Sequence, residues 1–326
     1  MNKRSPDGTD TEDDDQAFRA WDQYWRDGRL ASCGGEGGAA YQSAITEGWR
    51  EFFRSLPEES RILDVCTGNG AIARVAEEIA LERGIEFSID AFDAALIAPP
   101  AIAASQESMI HFRSRVSAES LPYENDAFDV VVGQYGLEYT DMARSLPELV
   151  RVSAPGGCRL RLVIHAREGV VVGLASRQLA DARQVRESGI FEAARTLAES
   201  RSDGSSEQTL QTLKERYNDA VRRLEQAAAE SVEPAIYSNT CSVLTHALSI
   251  QKQVGTVPVI DKIRDVVENV GAHESRLNAM RSAALDQAGA RSLADRIAEL
   301  WQQEIRVEAS RREDDALFGW IIESRQ

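Results

Sequence analysis

Within RILDVCTGNGAIA, residues 61–73, Gly68 and Gly70 follow the apolar run Ile62, Leu63, Val65 and precede Ile72, Val75, Ala76, Ile79 and Ala80 at helical spacing. This is the pattern of a strand, a glycine turn and a helix, with Gly84 placed to end that helix. Glycine lets the backbone turn sharply and a ligand come close. The free N–H groups of a helix start favour a carboxylate or a phosphate. Downstream, IEFSIDAFDAA (85–95) reads as a second strand carrying two carboxylates near its end, Asp90 and Asp93. An acid at that end can accept hydrogen bonds from both hydroxyls of a ribose. Asp93 lies 23 residues beyond Gly70, close to the ~20 expected for a ribose-binding acid after a glycine turn. Asp90 is the alternative. Tyr135, Glu138, Tyr139 and His165 fall at the ends of two further apolar runs. They are the candidate catalytic groups able to take a proton from a reacting atom.

Two readings of the glycine turn are open. Gly68, Gly70 and Ala73 fit the relaxed G-x-G-x-x-A form of a dinucleotide site, which gives a nicotinamide-dependent oxidoreductase as one alternative. Against it, Asp64 sits inside the strand end, where a phosphate-binding turn gains nothing from a carboxylate. Leu63, Asp64, Cys66, Gly68 and Gly70 instead resemble motif I, LDxGxGxG, of the class I S-adenosylmethionine (SAM)-dependent methyltransferases, with Cys66 in place of the first glycine. Two further stretches carry the same resemblance. AFDVVVGQYGLEYTD (127–141) is similar to the family's FDVV strand and its Gly-Leu segment, and Pro155-Gly156-Gly157 to the turn before strand five.

The resemblance implies a cofactor, SAM, and a set of residues to hold it. Asp64, Cys66, Thr67, Gly68, Asn69 and Gly70 would form the turn at its amino-acid end, and Asp93 and Ala94 would meet the ribose. Ser117, Ala118 and Glu119 occupy the place of the family's adenine-contacting D-A-x, with Ser117 where the acid is usual. Gln134 and Tyr135 would line the site from strand four. A SAM-binding protein without turnover is the other alternative function.

Composition narrows the partners. A net charge of −16 over 326 residues leaves no clustered cation surface for phosphate tracking, so no nucleic-acid partner is expected. No apolar run approaches the ~18 residues of a membrane span, and no leader is evident. Cys33, Cys66, Cys158 and Cys241 are scattered, as are His111, His165, His246 and His273. That usage suits reduced thiols in a cytoplasmic protein and predicts no metal site. The expected partner is a small-molecule methyl acceptor.

The elements that must position these residues follow from periodicity. Residues 1–15, rich in Asp, are expected to be a disordered acidic tail. Residues 16–60 comprise an aromatic helix (Phe18, Trp21, Tyr24, Trp25), a loop with five glycines at 28–38, and a second helix with Ile45, Trp49, Phe52 and Phe53 on one face. The aromatics are read as docking that helix on the core. The resemblance implies that residues 20–41 form a lid. The resemblance implies that residues 61–165 form a Rossmann-like SAM-binding core. Residues 166–303 are helical in pattern, with Leu210, Leu213, Tyr217, Val221 and Leu224 marking one stripe. They are expected to be an insertion serving as a cap over the acceptor or as a homodimer interface. Residues 304–326 read as two strands joined near Asp314 and Asp315. With these elements the resemblance implies an α/β class: a seven-stranded, mostly parallel methyltransferase-like sheet with an antiparallel C-terminal strand, and a large helical insertion between strands five and six.

Overall fold

The computed structural model describes residues 12–29, 43–100, 108–231, 234–311 and 315–325. The chain divides into two compact units, Met1–Leu174 with Ala279–Gln326, and Ala175–Asn278.

The first unit opens with helices α1 (Glu12–Arg26) and α2 (Ser43–Arg54). Next come strand β1 (Arg61–Val65), helix α3 (Ala71–Arg83), and strands β2 (Ser88–Asp93), β3 (Ile110–Ser114) and β4 (Val130–Gln134). A short 3-10 turn (Leu137–Tyr139), helix α4 (Met142–Val152) and strand β5 (Arg159–His165) follow. The unit resumes at the end of the chain with helix α11 (Gln287–Trp301) and strands β6 (Ile305–Arg311) and β7 (Leu317–Ser324). The seven strands make one sheet in the order β3-β2-β1-β4-β5-β7-β6. The first five are parallel, and β7 runs antiparallel between β5 and β6. This is the predicted α/β class and topology.

Alternation of side chains explains how the sheet is covered. Leu63, Val65, Val131, Leu160 and Leu162 face one side with Leu146 and Leu149 of α4 and Leu293 and Ile297 of α11. Ile62, Ile89, Val130, Val132 and Val163 face the other with Trp49, Phe53 and Ile79 from α2 and α3. Helix α3 is bounded by Gly70 and Gly84, both left-handed, with the Gly84 N–H donating to the last carbonyls.

The second unit is helical: α5 (Val170–Glu187) from Ala175, α6 (Ile190–Ser200), α7 (Glu207–Glu230), α8 (Ala235–Ser249), α9 (Gln251–Val254), and α10 (Thr256–Ala283) as far as Asn278. It has its own core of Val185, Ile190, Leu197, Tyr217, Leu224, Tyr237, Leu244 and Ile263. Tyr217 and Leu224 of the predicted stripe are its buried members.

Three stretches differ from the sequence reading or fall beside it. The compact helical unit is shorter than residues 166–303, because α11 packs against the sheet of the first unit through Ala290, Leu293, Ala294 and Ile297. Helical periodicity is the same for a helix of the insertion and a helix covering the sheet. Helix α1 starts at Glu12, inside the stretch expected to be disordered. Residues 1–11, 30–42 and 312–314, which include most of the acidic tail, the glycine-rich loop and part of the hairpin tip, lie outside the described residues.

Candidate functional site

The turn after β1 is held from inside by Asp64. Its Oδ2 accepts the Thr67 hydroxyl at 2.6 Å and the Ala73 N–H at 3.2 Å. One carboxylate oxygen thus ties the turn to the first residues of α3. Burial pushes the Asp64 carboxyl up to about 7, against the lowering effect of those two donors. Cys66, Gly68 and Gly70 all have positive φ, at 54°, 57° and 85°. Cys66 packs where Gly136 leaves room: a Cβ on Gly136 would stand 2.3 Å from that of Cys66. Burial holds the Cys66 thiol well above its ordinary value, so it is a packing group and not a nucleophile.

The two aspartates of β2 have separate environments. Asp93 Oδ2 accepts the Gly68 N–H at 2.9 Å, and its Oδ1 accepts the Ala95 N–H at 2.8 Å. Burial lifts its carboxyl to about 6, while these N–H groups pull it down. Asp90, three residues earlier and so on the opposite face of the strand, pairs with Arg113 Nε at 3.1 Å. The structure therefore brings Asp93, with Ala94 beside it, to the glycine turn and leaves Asp90 on an ion pair.

The next segments converge on the same edge. Val116 N–H donates to the Asp93 carbonyl. Ser117 hydrogen-bonds Glu119, whose other oxygen accepts the Asp141 N–H at 2.8 Å. Ala118 is buried in the sheet's core. At the end of β4, Gln134 Oε1 accepts the Trp49 indole N–H at 2.6 Å. Its Nε2 is buried with no hydrogen-bond partner among the described residues.

All four catalytic candidates are neighbours. Glu138 Oε1 accepts the His165 backbone N–H at 2.9 Å and lies 2.7 Å from His165 Nδ1. The imidazole stacks on Tyr135 with ring centroids 4.0 Å apart and meets Tyr139 edge-on at 5.9 Å. The Tyr135 hydroxyl donates to the Phe318 carbonyl, which gives it a packing role.

Sequence reasoning did not assign Asp22, Trp25 or Arg29 to the site. Asp22 accepts the Leu96 N–H at 2.7 Å and pairs with Arg115 at 2.5 Å. Asn69 Nδ2 donates to the carbonyls of Trp25 and Arg29, and its Oδ1 accepts the Ala98 N–H. A Cβ on Gly68 would meet the Trp25 ring at 2.4 Å, so α1 lies directly on the turn. Two sequence signals bear on this contact, the aromatic spacing in α1 and the lid at residues 20–41 that the resemblance implies. The two polar latches join residues 44 and 74 positions apart and leave no local pattern.

Residues 43–172 match the model of the ubiE/COQ5 methyltransferase family. The match lies wholly within the first unit and covers 130 of the 326 residues. The Pro-Gly-Gly turn, the FDVV strand and the glycine turn after β1 all lie within the matched residues. Among solved structures, the chain is similar to YcgJ of Bacillus subtilis (23% identity, 43% of this chain and 58% of that one, TM-score 0.32). It is also similar to a 1,6-didemethyltoxoflavin N1-methyltransferase of Burkholderia thailandensis (17% identity, 50% and 68%, TM-score 0.37). A third is the CMeT domain of the citrinin polyketide synthase (12% identity, 86% and 52%, TM-score 0.42). The chain thus spans about three fifths of the length of the first of these. No curated protein matches the sequence.

Proposed function

We propose that this chain transfers the methyl group of SAM to a small-molecule acceptor. The observation that carries the reading is the contact of Asp93 with the Gly68 N–H, which sets a part-buried carboxylate against the glycine turn at the carboxyl edge of a parallel sheet. The residues present fit the cofactor. Gln134 Nε2 and Glu138 Oε2 are a buried donor and a buried acceptor with no hydrogen-bond partner among the described residues. Buried groups of that kind call for a polar ligand.

Asp93 and Ala94 would hold the ribose, and Ser117, Ala118 and Glu119 the adenine. The turn of Cys66, Thr67, Gly68, Asn69 and Gly70, kept in shape by Asp64, would hold the amino-acid end. Gln134 and Tyr135 would line the end where transfer occurs. The bound cofactor supplies an electrophilic methyl group with a neutral leaving group. The chain's own contribution is alignment and exclusion of water, and α1, latched through Asp22 and Asn69, serves the second. The helical unit carries none of the cofactor residues, so we assign it acceptor selection or self-association. The described cysteines, Cys66, Cys158 and Cys241, are free, in keeping with a cytoplasmic location.

Calorimetric titration with SAM, S-adenosylhomocysteine and NADH tests the cofactor. Binding of the first two and not the third is expected. Tight NADH binding alone would replace this reading with an oxidoreductase. Transfer of label from [methyl-3H]SAM to an added acceptor separates turnover from binding.

A further inference from the structure

Much of the first unit pairs its acids with arginine. Asp22 pairs with Arg115, Asp90 with Arg113, Glu148 with Arg151, and Glu323 with Arg161 and Arg306. Around the turn after β1 the pattern stops. Asp64 accepts the Thr67 hydroxyl and the Ala73 N–H, and Asp93 accepts the N–H groups of Gly68 and Ala95. Glu119 accepts the Ser117 hydroxyl and the Asp141 N–H. Glu138 meets the backbone N–H and the imidazole of His165. None of these four carboxylates has an Arg or Lys partner among the described residues.

The four belong to one place. Asp64 is two residues before Cys66, and Asp93 bonds the N–H of Gly68, two residues after it. Gly136, two residues before Glu138, comes so close that an added Cβ would stand 2.3 Å from the Cys66 Cβ. Glu119 is tied to Asp141, just beyond the 3-10 turn that carries Glu138. All four carboxylates act on the Cys66 thiol, and all in the same direction. Asp64 and Glu138 are buried, and Asp93 and Glu119 part-buried. Carboxylates withdrawn from water are costly unless a cation offsets them. Glu138 gives a second sign of a missing partner, because its Oε2 is buried with no hydrogen-bond partner among the described residues. No three described His, Cys, Asp or Glu side chains are grouped to hold a metal ion, so the cation that suits this cluster is an organic one.

We propose that these four carboxylates make the site selective for a positively charged cofactor, so that it holds SAM, a sulfonium, more tightly than the neutral thioether product S-adenosylhomocysteine. The proposal rests on the methyltransferase reading and deepens it. The two ligands share adenine, ribose and amino-acid end, so hydrogen bonds to those parts do not tell them apart. They differ by one methyl group and one unit of charge. Charge acts over several ångströms without contact, so a buried Glu138 contributes without touching the ligand. Transfer of the methyl group removes the charge that the carboxylates hold, and the product is released more readily than the donor.

The test is calorimetric titration of the full chain at pH ~8, where Asp64 and Asp93 are ionised. The probes are SAM, S-adenosylhomocysteine and sinefungin, which carries an ammonium on carbon in place of the methylsulfonium. The wild type is expected to bind SAM and sinefungin about 10- to 100-fold more tightly than S-adenosylhomocysteine. Glu138→Gln and Glu119→Gln each keep an acceptor oxygen and remove one charge. Each should cut the preference for SAM by about threefold or more, through weaker SAM binding, with S-adenosylhomocysteine affinity within about twofold. Thermal melts establish which variant folds, and the wild-type comparison decides by itself if neither does. Wild-type affinity for S-adenosylhomocysteine equal to or above that for SAM and sinefungin would overturn the proposal. So would a preference unchanged in the folded variants, or equal losses of SAM and S-adenosylhomocysteine affinity in them. Wild-type protein that binds neither SAM nor S-adenosylhomocysteine would instead overturn the methyltransferase reading.

Discussion

The Asp93 carboxylate accepts the Gly68 backbone N–H at 2.9 Å and so joins the end of β2 to the turn after β1 across 25 residues of chain. The same carboxylate is part-buried, and it accepts from two backbone N–H groups, those of Gly68 and Ala95. Each oxygen keeps a further lone pair for a ligand hydroxyl.

Asp93→Ala should therefore weaken SAM binding by about 30- to 1,000-fold, equivalent to ~2–4 kcal/mol for charge-assisted hydrogen bonds. Asp90→Ala removes an ion pair with a half-exposed Arg113 and should change affinity by less than about threefold. Calorimetry on both variants checks this. Wild-type affinity in Asp93→Ala would remove Asp93 from the site.

Stability should depend on pH through Asp64, which is buried, and Asp93, which is part-buried. Asp64 and Asp93 titrate near 3.8 when unperturbed and are raised to about 7 and about 6 in the folded protein. The folded state binds these protons more tightly than the unfolded chain. Their stabilisation is full below pH ~4 and declines as pH rises through the two folded values. Glu148 has the opposite sign: Arg151 lowers it from 4.5 to about 2, so its contribution is complete above its unperturbed value and is lost only toward pH 2. Between pH 5 and 8 the aspartates govern. The melting temperature of the cofactor-free protein should fall across that range, and Asp64→Asn, which keeps an acceptor for Thr67 and Ala73, should remove about two thirds of the fall. A slope identical to the wild type's would show that Asp64 is not the titrating group.

Strand β7 is interior although it is terminal. It pairs with β5 on one side and β6 on the other, and Phe318, Trp320 and Ile322 are buried. Deleting residues 316–326 would expose these groups at ~1.5–3 kcal/mol each, a sum comparable to a domain's whole stability. It would also leave β6 unpaired. Soluble, cooperatively melting protein should not be recovered, and a truncated chain melting near the wild-type temperature would count against this account.

Replacing residues 175–278 by a Gly-Ser linker should leave SAM affinity within about tenfold and remove methyl transfer, since the cofactor residues all lie in the other unit. A longer excision through residue 298 takes away most of α11, whose Leu293 and Ile297 cover the sheet, and should unfold the protein. Both deletions can be followed by circular dichroism, with calorimetry and label transfer on the first. Wild-type turnover in the shorter deletion would assign the helical unit to assembly alone.

What the sequence determined by itself is local in the chain. Motif I, the FDVV strand and the Pro-Gly-Gly turn each fit within 15 residues, because a strand, a turn and a helix start are specified by neighbouring side chains and by glycine's freedom at positive φ. The order of elements and the buried parallel strands followed from those patterns, and the antiparallel close from the resemblance they carry. The tertiary structure decided what depends on residues far apart. It set Asp93 against Gly68 and Asp90 against Arg113, a choice that strand periodicity leaves open because both are acids near one strand end. It paired Glu138 with His165 across two strands, and latched α1 to the turn through Asp22 and Asn69. It also gave α11 to the sheet, since an apolar helical stripe records that a face is buried and carries no information about which surface buries it.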